Sequence, residues 1–166
     1  MKKKYVFTVV ALAVLASPVL WAMSWEESLK GYSCIEVEQF HVKEKIDPLP
    51  SDMLQNIQTL TVTKISEEKM IPVVMRSGQS VCQGRTLVLG GTIVSYNQGN
   101  TAVAIFLPMG GDAKMAVEAS LKDKLSGEVM AKKKFSRRDT GERGSKNEGL
   151  QREISNEVTK FVKRGK

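Results

Sequence analysis

Alternating apolar and polar residues between positions 113 and 122 give the clearest strand in the sequence. Four apolar residues recur at every second position: Met115, Val117, Ala119 and Leu121. A period of two with one apolar face predicts a strand that is buried on one side. Residues 123–127 contain Asp, Ser and Gly and predict a turn, and residues 129–135 resume as a strand. The two segments together predict a β-hairpin.

Two segments upstream of this hairpin, residues 86–96 and 101–107, are rich in Val, Ile, Thr and Leu. Both are apolar at consecutive positions, which predicts central strands that are covered on both faces or nearly so. Gly90 and Gly91 lie inside the first segment, and they indicate either a β-bulge or a close approach of another part of the chain.

A helix is predicted between two earlier strands, which we place at residues 33–42 and 70–75. Ser51 is a favoured N-cap residue, and helical spacing relates Met53, Leu54, Ile57 and Leu60. Residues 59–63 include three threonines and also favour a strand, because β-branched residues lower helix propensity. We therefore expect the helix to fray near Glu67.

The last helix has the strongest amphipathic pattern in the chain. Ser145 and Glu148 have the spacing of a capping box, in which each side chain bonds a free amide of the first turn. The apolar stripe consists of Leu150, Ile154, Val158 and either Phe161 or Val162. Gly165 suits the end of this helix. A stripe about 100° wide is typical of a helix that packs on a sheet.

These elements predict an α+β fold. We expect a mixed, mostly antiparallel sheet of five to six strands, with two helices packed on one face. Residues 33–163 would form one domain, since the chain has the length of a single ordinary domain and shows neither an internal repeat nor a low-complexity linker.

The first 22 residues have the pattern of a secretory signal peptide. Three lysines precede an apolar run at residues 5–16, and the small residue Ala22 follows. Cleavage fits after Ala22 or after Ser24. The run is too short to favour a stable membrane span, and no cysteine follows either site as a lipid attachment point. The pattern predicts a soluble protein exported to the periplasm.

Cys34 and Cys82 are the two cysteines of the chain, 48 positions apart. In an exported protein such a pair predicts a disulfide. A metal or redox role has little support, because the chain lacks a C-x-x-C motif and has a single histidine, His41. No cofactor is predicted.

Charge is distributed unevenly. The net charge is +7. Without the three lysines of the leader, 22 basic and 18 acidic residues leave +4. Residues 23–110 carry −2 and residues 111–166 carry +6. This basic part could attract anionic lipid or an acidic polymer. Nucleic acid is a poor candidate, because the basic region has only one aromatic residue, Phe135, before the final helix.

Six basic residues are candidates for anion binding: Lys132, Lys133, Lys134, Arg137, Arg138 and Arg143. The alternative is that the charges protect an edge strand from pairing with other edges. Residues 136–144 show no period and predict a loop. Residues 107–112 form a separate, Gly-rich segment. It could bind phosphate only if a helix began directly after it, and the sequence predicts a strand there instead.

Several segments resemble a family of small bacterial envelope proteins of unknown function, many of which are lipoproteins. The resemblance rests on residues 91–100, which fit a G-x-I-x-x-Y-x-x-G-N pattern, on the Gly-rich residues 110–114, and on the turn at residues 126–128. The order of elements is also similar to the amino-terminal domain of TolB. The resemblance implies a fold of this kind in the bacterial envelope, and it implies no chemistry.

Catalysis needs a positioned acid, base or nucleophile, and the sequence offers His41 without a nucleophile motif. We therefore predict a protein that is not an enzyme. The first hypothesis is a periplasmic module that contacts an envelope protein, for example through an exposed strand edge. The second is binding of anionic lipid or envelope polymer by the basic third. The third, a hydrolase, would require a pocket that joins His41 to a carboxylate and a hydroxyl.

Overall fold

The computed structural model describes residues 24–46, 48–79, 82–99, 112–139 and 146–165. Within these ranges the helices are α1 (Trp25–Leu29), α2 (Met53–Glu68) and α3 (Lys146–Arg164). The strands are β1 (Cys34–Val37), β2 (His41–Val42), β3 (Val73–Arg76), β4 (Thr86–Asn97), β5 (Ala113–Asp123) and β6 (Val129–Asp139). The predicted signal peptide, the predicted strand at 101–107, Ser145 and most of the Gly-rich loop lie outside the described residues.

The six strands form one sheet in the order β3-β1-β4-β5-β6, and β2 pairs with β4 beyond the end of β1. The three long strands β4, β5 and β6 are antiparallel to one another. The short strands β1, β2 and β3 make parallel pairs. The sheet is therefore mixed, and it is mostly antiparallel because the long strands make the antiparallel pairs. This confirms the predicted α+β fold. Of the two strands predicted to be central, β4 lies in the middle of the sheet, and the other lies outside the described residues.

Helices α2 and α3 pack against each other and cover one face of the sheet, with α3 over β5 and β6 and α2 over β1 and β3. The predicted stripe of α3 is buried: Leu150, Ile154, Val158, Phe161 and Val162. It meets the apolar face predicted for β5, whose four alternating residues are fully buried. Burial of one face of each element is what the two periodicities imply. We refer to the opposite side of the sheet as the open face.

Helix α2 begins one residue later than predicted. Asp52, and not Ser51, is the N-cap, because the Asp52 carbonyl accepts the first helical hydrogen bond, from the Asn56 amide at 2.9 Å. The β-branched residues that favoured a strand are accommodated in the helix. The hydroxyls of Thr59 and Thr63 donate to the carbonyls four residues before them, at 2.7 and 3.1 Å. Thus tertiary packing and these local bonds override the strand propensity.

The predicted strand at residues 33–42 is interrupted between β1 and β2. Phe40 turns into the core and lies over Gly91, where an added Cβ would approach the Phe40 ring at 2.7–2.9 Å. Glu38 similarly lies over Gly90 on the open face. The two glycines therefore mark a close approach, one of the two predicted alternatives. The bulge in β4 lies further along, between Ile93 and Ser95.

The two ends of the described domain meet at the C-terminal end of α3. The indole Nε1 of Trp25 donates to the carbonyl of Val162 at 2.8 Å. Gly165 ends α3 as predicted, with φ +65° and its amide donating to the Phe161 carbonyl at 2.8 Å. The Trp25 ring lies against Gly165 in the place that a side chain would occupy. Helix α1 is thereby fixed to the last turn of α3.

Strand β6 extends to Asp139, so the predicted loop at residues 136–144 is wrong for its first four residues. Residues 140–144 lie outside the described residues. In its described part, Ser136 and Arg138 are exposed on the open face, whereas Arg137 and Asp139 are half-buried polar residues on the other side, so the segment has no apolar period. The prediction failed because the rule that identifies strands depends on one buried face.

Candidate functional site

A disulfide joins Cys34 to Cys82, with the two Cα atoms 6.3 Å apart. Strand β3 ends beside Val37, whereas β4 begins beside Cys34, at the other end of β1. The connection between β3 and β4 must therefore return along the length of β1. Cys34 faces the open side of the sheet, since Ile35 and Val37 face the helices. The disulfide anchors the connection on that side.

Next to the disulfide, three residues from separate segments form a hydrogen-bonded cluster. The Tyr32 hydroxyl donates to Asp123 Oδ2 at 2.8 Å, and Arg85 Nη2 donates to the same oxygen at 2.8 Å. The Arg85 guanidinium also lies 4.4 Å from the centre of the Tyr32 ring. The cluster joins the segment before β1, the segment before β4 and the end of β5.

The second oxygen of Asp123 accepts the amides of Leu125 and Ser126, at 2.9 and 3.0 Å. These bonds, with those from Arg85 and Tyr32, hold the pKa of Asp123 far below its usual range, and the Ser126 amide is the largest cause. Burial and the Asp123 carboxylate raise the pKa of Tyr32. Asp123 therefore stays ionised and Tyr32 stays protonated at neutral pH, so neither is poised for proton transfer.

The low pKa of Asp123 predicts a dependence of stability on acid pH. The carboxylate stabilises the fold fully above its ordinary pKa of about 4, and this stabilisation is lost as the pH falls toward the lower folded value. We expect Asp123→Asn to unfold at a lower temperature than wild type at pH 7, and the difference to shrink below about pH 4. Thermal unfolding followed from pH 7 to pH 2 measures this. A constant difference at all pH values would show that Asp123 stabilises the fold without its charge.

An open depression of about 610 Å³ lies beside this cluster and the disulfide. Its lining includes Arg85, Thr86 and Leu125. Leu125, at the tip of the β5–β6 hairpin, is 95% exposed. Of the polar side chains in the lining, Arg85 and Asp123 bind each other in the cluster, and Lys124 lies 2.6 Å from Glu36. These charged groups therefore already have partners within the chain.

The structure divides the predicted basic cluster between the two sides of β6. Lys132, Lys134 and Arg138 point to the open face, where they pair in register with residues of β5. Lys133 and Arg137 lie on the side of α3, and Arg143 lies outside the described residues. The five described residues of this set are therefore divided between two surfaces.

Carboxylates of the same chain already bind three of these cations. Lys132 Nζ lies 2.6 Å from Glu118, Arg137 lies 2.5 Å from Glu157, and Arg138 lies 3.5 Å from Asp112. Arg137 is the largest cause of the lowered pKa of Glu157. Arg137 therefore connects β6 to α3, and it is a structural residue and not a free anion site.

The register of β5 and β6 adds two lysines that sequence reasoning did not connect with the cluster. Lys114 lies opposite Arg138, and Lys122 continues the same face at the other end of β5. We call the resulting set on the open face the cationic strip: Lys114, Lys122, Lys132, Lys134 and Arg138. The polar positions of β5 were visible in its period of two, but only the pairing of the strands shows which of them adjoin β6.

His41 is exposed on β2 and lies in register with Thr92, which in turn pairs with Glu118. Lys132 lowers the pKa of Glu118 by a direct hydrogen bond. This carboxylate remains ionised and bound to a cation, which makes it a poor partner for His41 in catalysis. In the part of the chain that the structure describes, no group of three or more His, Cys, Asp or Glu residues could hold a metal ion.

Comparison with protein families gives a match to the domain of unknown function DUF4410 over residues 27–141, which is more than half of the chain. The chain belongs to this family. DUF4410 membership agrees with the predicted resemblance to a family without an assigned function, whereas the similarity to TolB stays a prediction. No curated protein matches the chain. Among the described residues, no helix of this DUF4410 protein is long and apolar enough to cross a membrane.

Solved structures share the fold at low sequence identity. The PelC dodecamer from Paraburkholderia phytofirmans is 13% identical, with a TM-score of 0.56 over 76% of this chain and 86% of PelC. A Xanthomonas campestris protein of family DUF330 is 11% identical, with a TM-score of 0.52 over 77% of this chain and 80% of that one. A hypothetical protein from Chlamydia trachomatis is 7% identical, with a TM-score of 0.52 over 79% and 98%. At such identities the likeness shows the fold alone.

Proposed function

We propose that this DUF4410 protein is a non-catalytic assembly module of the periplasm, which binds another envelope protein at the β6 edge of its sheet. The observation that carries the proposal is the length and exposure of β6. It is the last strand of the sheet order, runs for 11 residues, and has only two buried residues, Ala131 and Phe135. Natural proteins usually keep edge strands short or cover them.

An edge strand of this length can extend the sheet by pairing with a strand of a partner. Within the described residues β6 pairs with β5 on one side, and the backbone groups on its other side can pair with such a strand. The consecutive residues Lys132, Lys133 and Lys134 disfavour a second copy of β6 alongside the first, because like charges on adjacent strands repel. The same charges favour a partner strand that carries acidic residues. The edge therefore selects a partner instead of pairing indiscriminately.

Two further observations support the location and the class of function. The disulfide between Cys34 and Cys82 needs an oxidising compartment, in agreement with the predicted leader at residues 1–22. PelC, which shares the fold, is described as a dodecamer. The fold is therefore compatible with a role in assembly through protein contacts.

Photo-crosslinking in cells of the native host tests the proposal. A photoreactive amino acid at Ser136, which is exposed on β6, should give a discrete adduct with a second envelope protein. The matched control carries the same group at Gln55, which is exposed on α2, and should give none. The proposal would be wrong if Ser136 gave no adduct, or if the two positions gave the same adducts.

A further inference from the structure

The cationic strip extends along most of the β5–β6 ladder. Lys122 and Lys114 lie eight residues apart on β5, which corresponds to about 27 Å along a strand. Between these levels, Lys134 lies opposite Glu118, and Lys132 lies opposite Ser120. All five basic side chains of the strip are exposed. The strip is therefore a line of cations and not a compact cluster.

The strip keeps an excess of positive charge after its internal ion pairs are counted. Glu118 binds Lys132, and Asp112 binds Arg138. Within the described residues, no ion pair involves the other three members, Lys114, Lys122 and Lys134. The five cations of the strip outnumber the two carboxylates bound to them by three. Glu38, which lies over Gly90 beside Ser120 on the same face, lowers this excess to two.

Protection of a sheet edge does not explain this distribution. A charge prevents edge-to-edge pairing only if it lies on the edge strand. Lys114 and Lys122 lie on β5, which is paired with β4 on one side and with β6 on the other. Their position beside the cations of β6 protects no edge, but it doubles the width of the positive surface.

We infer that the cationic strip binds a linear polyanion, such as a carboxylated polysaccharide, lying along the strands on the open face. A line of exposed cations matches a chain of repeating negative charges. Small side chains lie between the cations at Ala116, Ser120 and Ser136, so an extended polymer can approach the sheet closely. The site shares strand β6 with the proposed edge contact, but it uses side chains on the open face and not the free backbone groups of the edge. The inference therefore does not depend on the proposed protein contact.

The surroundings of the strip favour a polymer over a membrane. A surface that docks on lipid usually combines its cations with apolar or aromatic side chains that enter the interface. In the described part of the chain, the exposed large apolar residues near the strip are Leu125 and Val129, which both lie at one end. Along the rest of the strip the side chains between the cations are small or polar.

Titration calorimetry with polygalacturonate oligomers, using the protein exported from the full chain, tests the inference. We expect binding that weakens about 100-fold between about 50 and 500 mM salt, as for a polyelectrolyte that releases about three counterions. Replacing Lys114, Lys122 and Lys134 together with Gln should abolish measurable binding. The control variant replaces Lys30, Lys64 and Arg152 with Gln, which removes the same charge from the other side of the molecule, and should bind like wild type.

A variant that binds polygalacturonate more tightly than wild type gives a second test, because a misfolded protein would not gain affinity. Glu118→Gln removes the carboxylate that neutralises Lys132 and leaves the size of the side chain unchanged. We expect this variant to bind polygalacturonate about two- to fivefold more tightly, which is the range that one exposed ion pair contributes. If the triple variant fails to fold, this variant decides the question alone, and unchanged or weaker binding overturns the inference.

Two other outcomes also overturn the inference. One is a folded triple variant that binds polygalacturonate as tightly as the control does. The other is binding to lipid, measured by sedimentation with vesicles of equal parts phosphatidylglycerol and phosphatidylethanolamine. If wild-type protein still sediments with these vesicles in the presence of excess polygalacturonate, the surface binds membrane and not polymer. The inference is supported if polygalacturonate displaces wild-type protein from the vesicles and the triple variant binds neither the vesicles nor the polymer.

Discussion

Replacing Cys34 and Cys82 together with alanine lowers the free energy of unfolding by about 4 kcal/mol. This value is the loop-closure entropy that a cross-link over 48 residues removes from the unfolded chain. Domains of this size are stable by about 5–15 kcal/mol in total, so the variant keeps only part of its stability. Alanine is the suitable replacement because Cys34 is buried, and a serine hydroxyl there would add a cost of its own.

Urea unfolding of the oxidised and the reduced wild type measures the same quantity without a mutation. Reduced wild type should unfold at the urea concentration of the double alanine variant, and reductant should leave that variant unchanged. Equal unfolding of oxidised and reduced wild type would contradict the prediction. Since the cytoplasm keeps thiols reduced, protein made there should show the lower stability.

Phe40→Ala should destabilise the fold by about 3–5 kcal/mol, the usual cost of removing a buried aromatic ring from a core. Phe40 is 1% exposed, and its ring occupies the space above Gly91. No side chain on β4 can collapse into the cavity at that point, because Gly91 has none. We therefore expect a value near the upper end of this range, measured by urea unfolding.

The effect of a side chain at Gly91 on the free energy of unfolding should depend on whether the Phe40 ring is present. In wild type, Gly91→Ala should cost about 1–3 kcal/mol, because its Cβ would displace a buried ring. In the Phe40→Ala background the same change should cost nothing or stabilise. Gly31→Ala is the control, since the nearest atom would be 3.5 Å from its Cβ. Additive effects of the Phe40 and Gly91 changes would show that the two residues do not share this space.

The elements that the sequence predicted well each have one buried face within a short segment. Strand β5 and helix α3 are examples, because the alternation from Met115 to Leu121 and the stripe from Leu150 to Val162 are local signals of burial. The turn at residues 123–127 was equally visible from its residue types. For these parts, the pattern along the chain contains the information that the fold uses.

The parts that sequence reasoning missed depend on contacts between distant segments. Tyr32, Arg85 and Asp123 come from three separate segments, and the sequence indicated only that Asp123 belongs to a turn. Gly91 suggested a close approach, but the sequence could not identify Phe40 as the group that approaches. The cationic strip requires the register of β5 against β6, which places Lys114 beside Arg138. A basic run along the chain is therefore an incomplete description of a basic surface.

The hydrogen bond between Trp25 and Val162 has a practical consequence for circular permutation. Because Trp25 contacts Gly165, a short linker can connect these two positions without crossing the domain. New termini can then be opened at the β5–β6 turn, where Leu125 is almost fully exposed. A reporter fused to the new termini would lie at the β5–β6 turn, at the opposite end of β5 from Lys114. The order of β1 to β5 along the chain would not change.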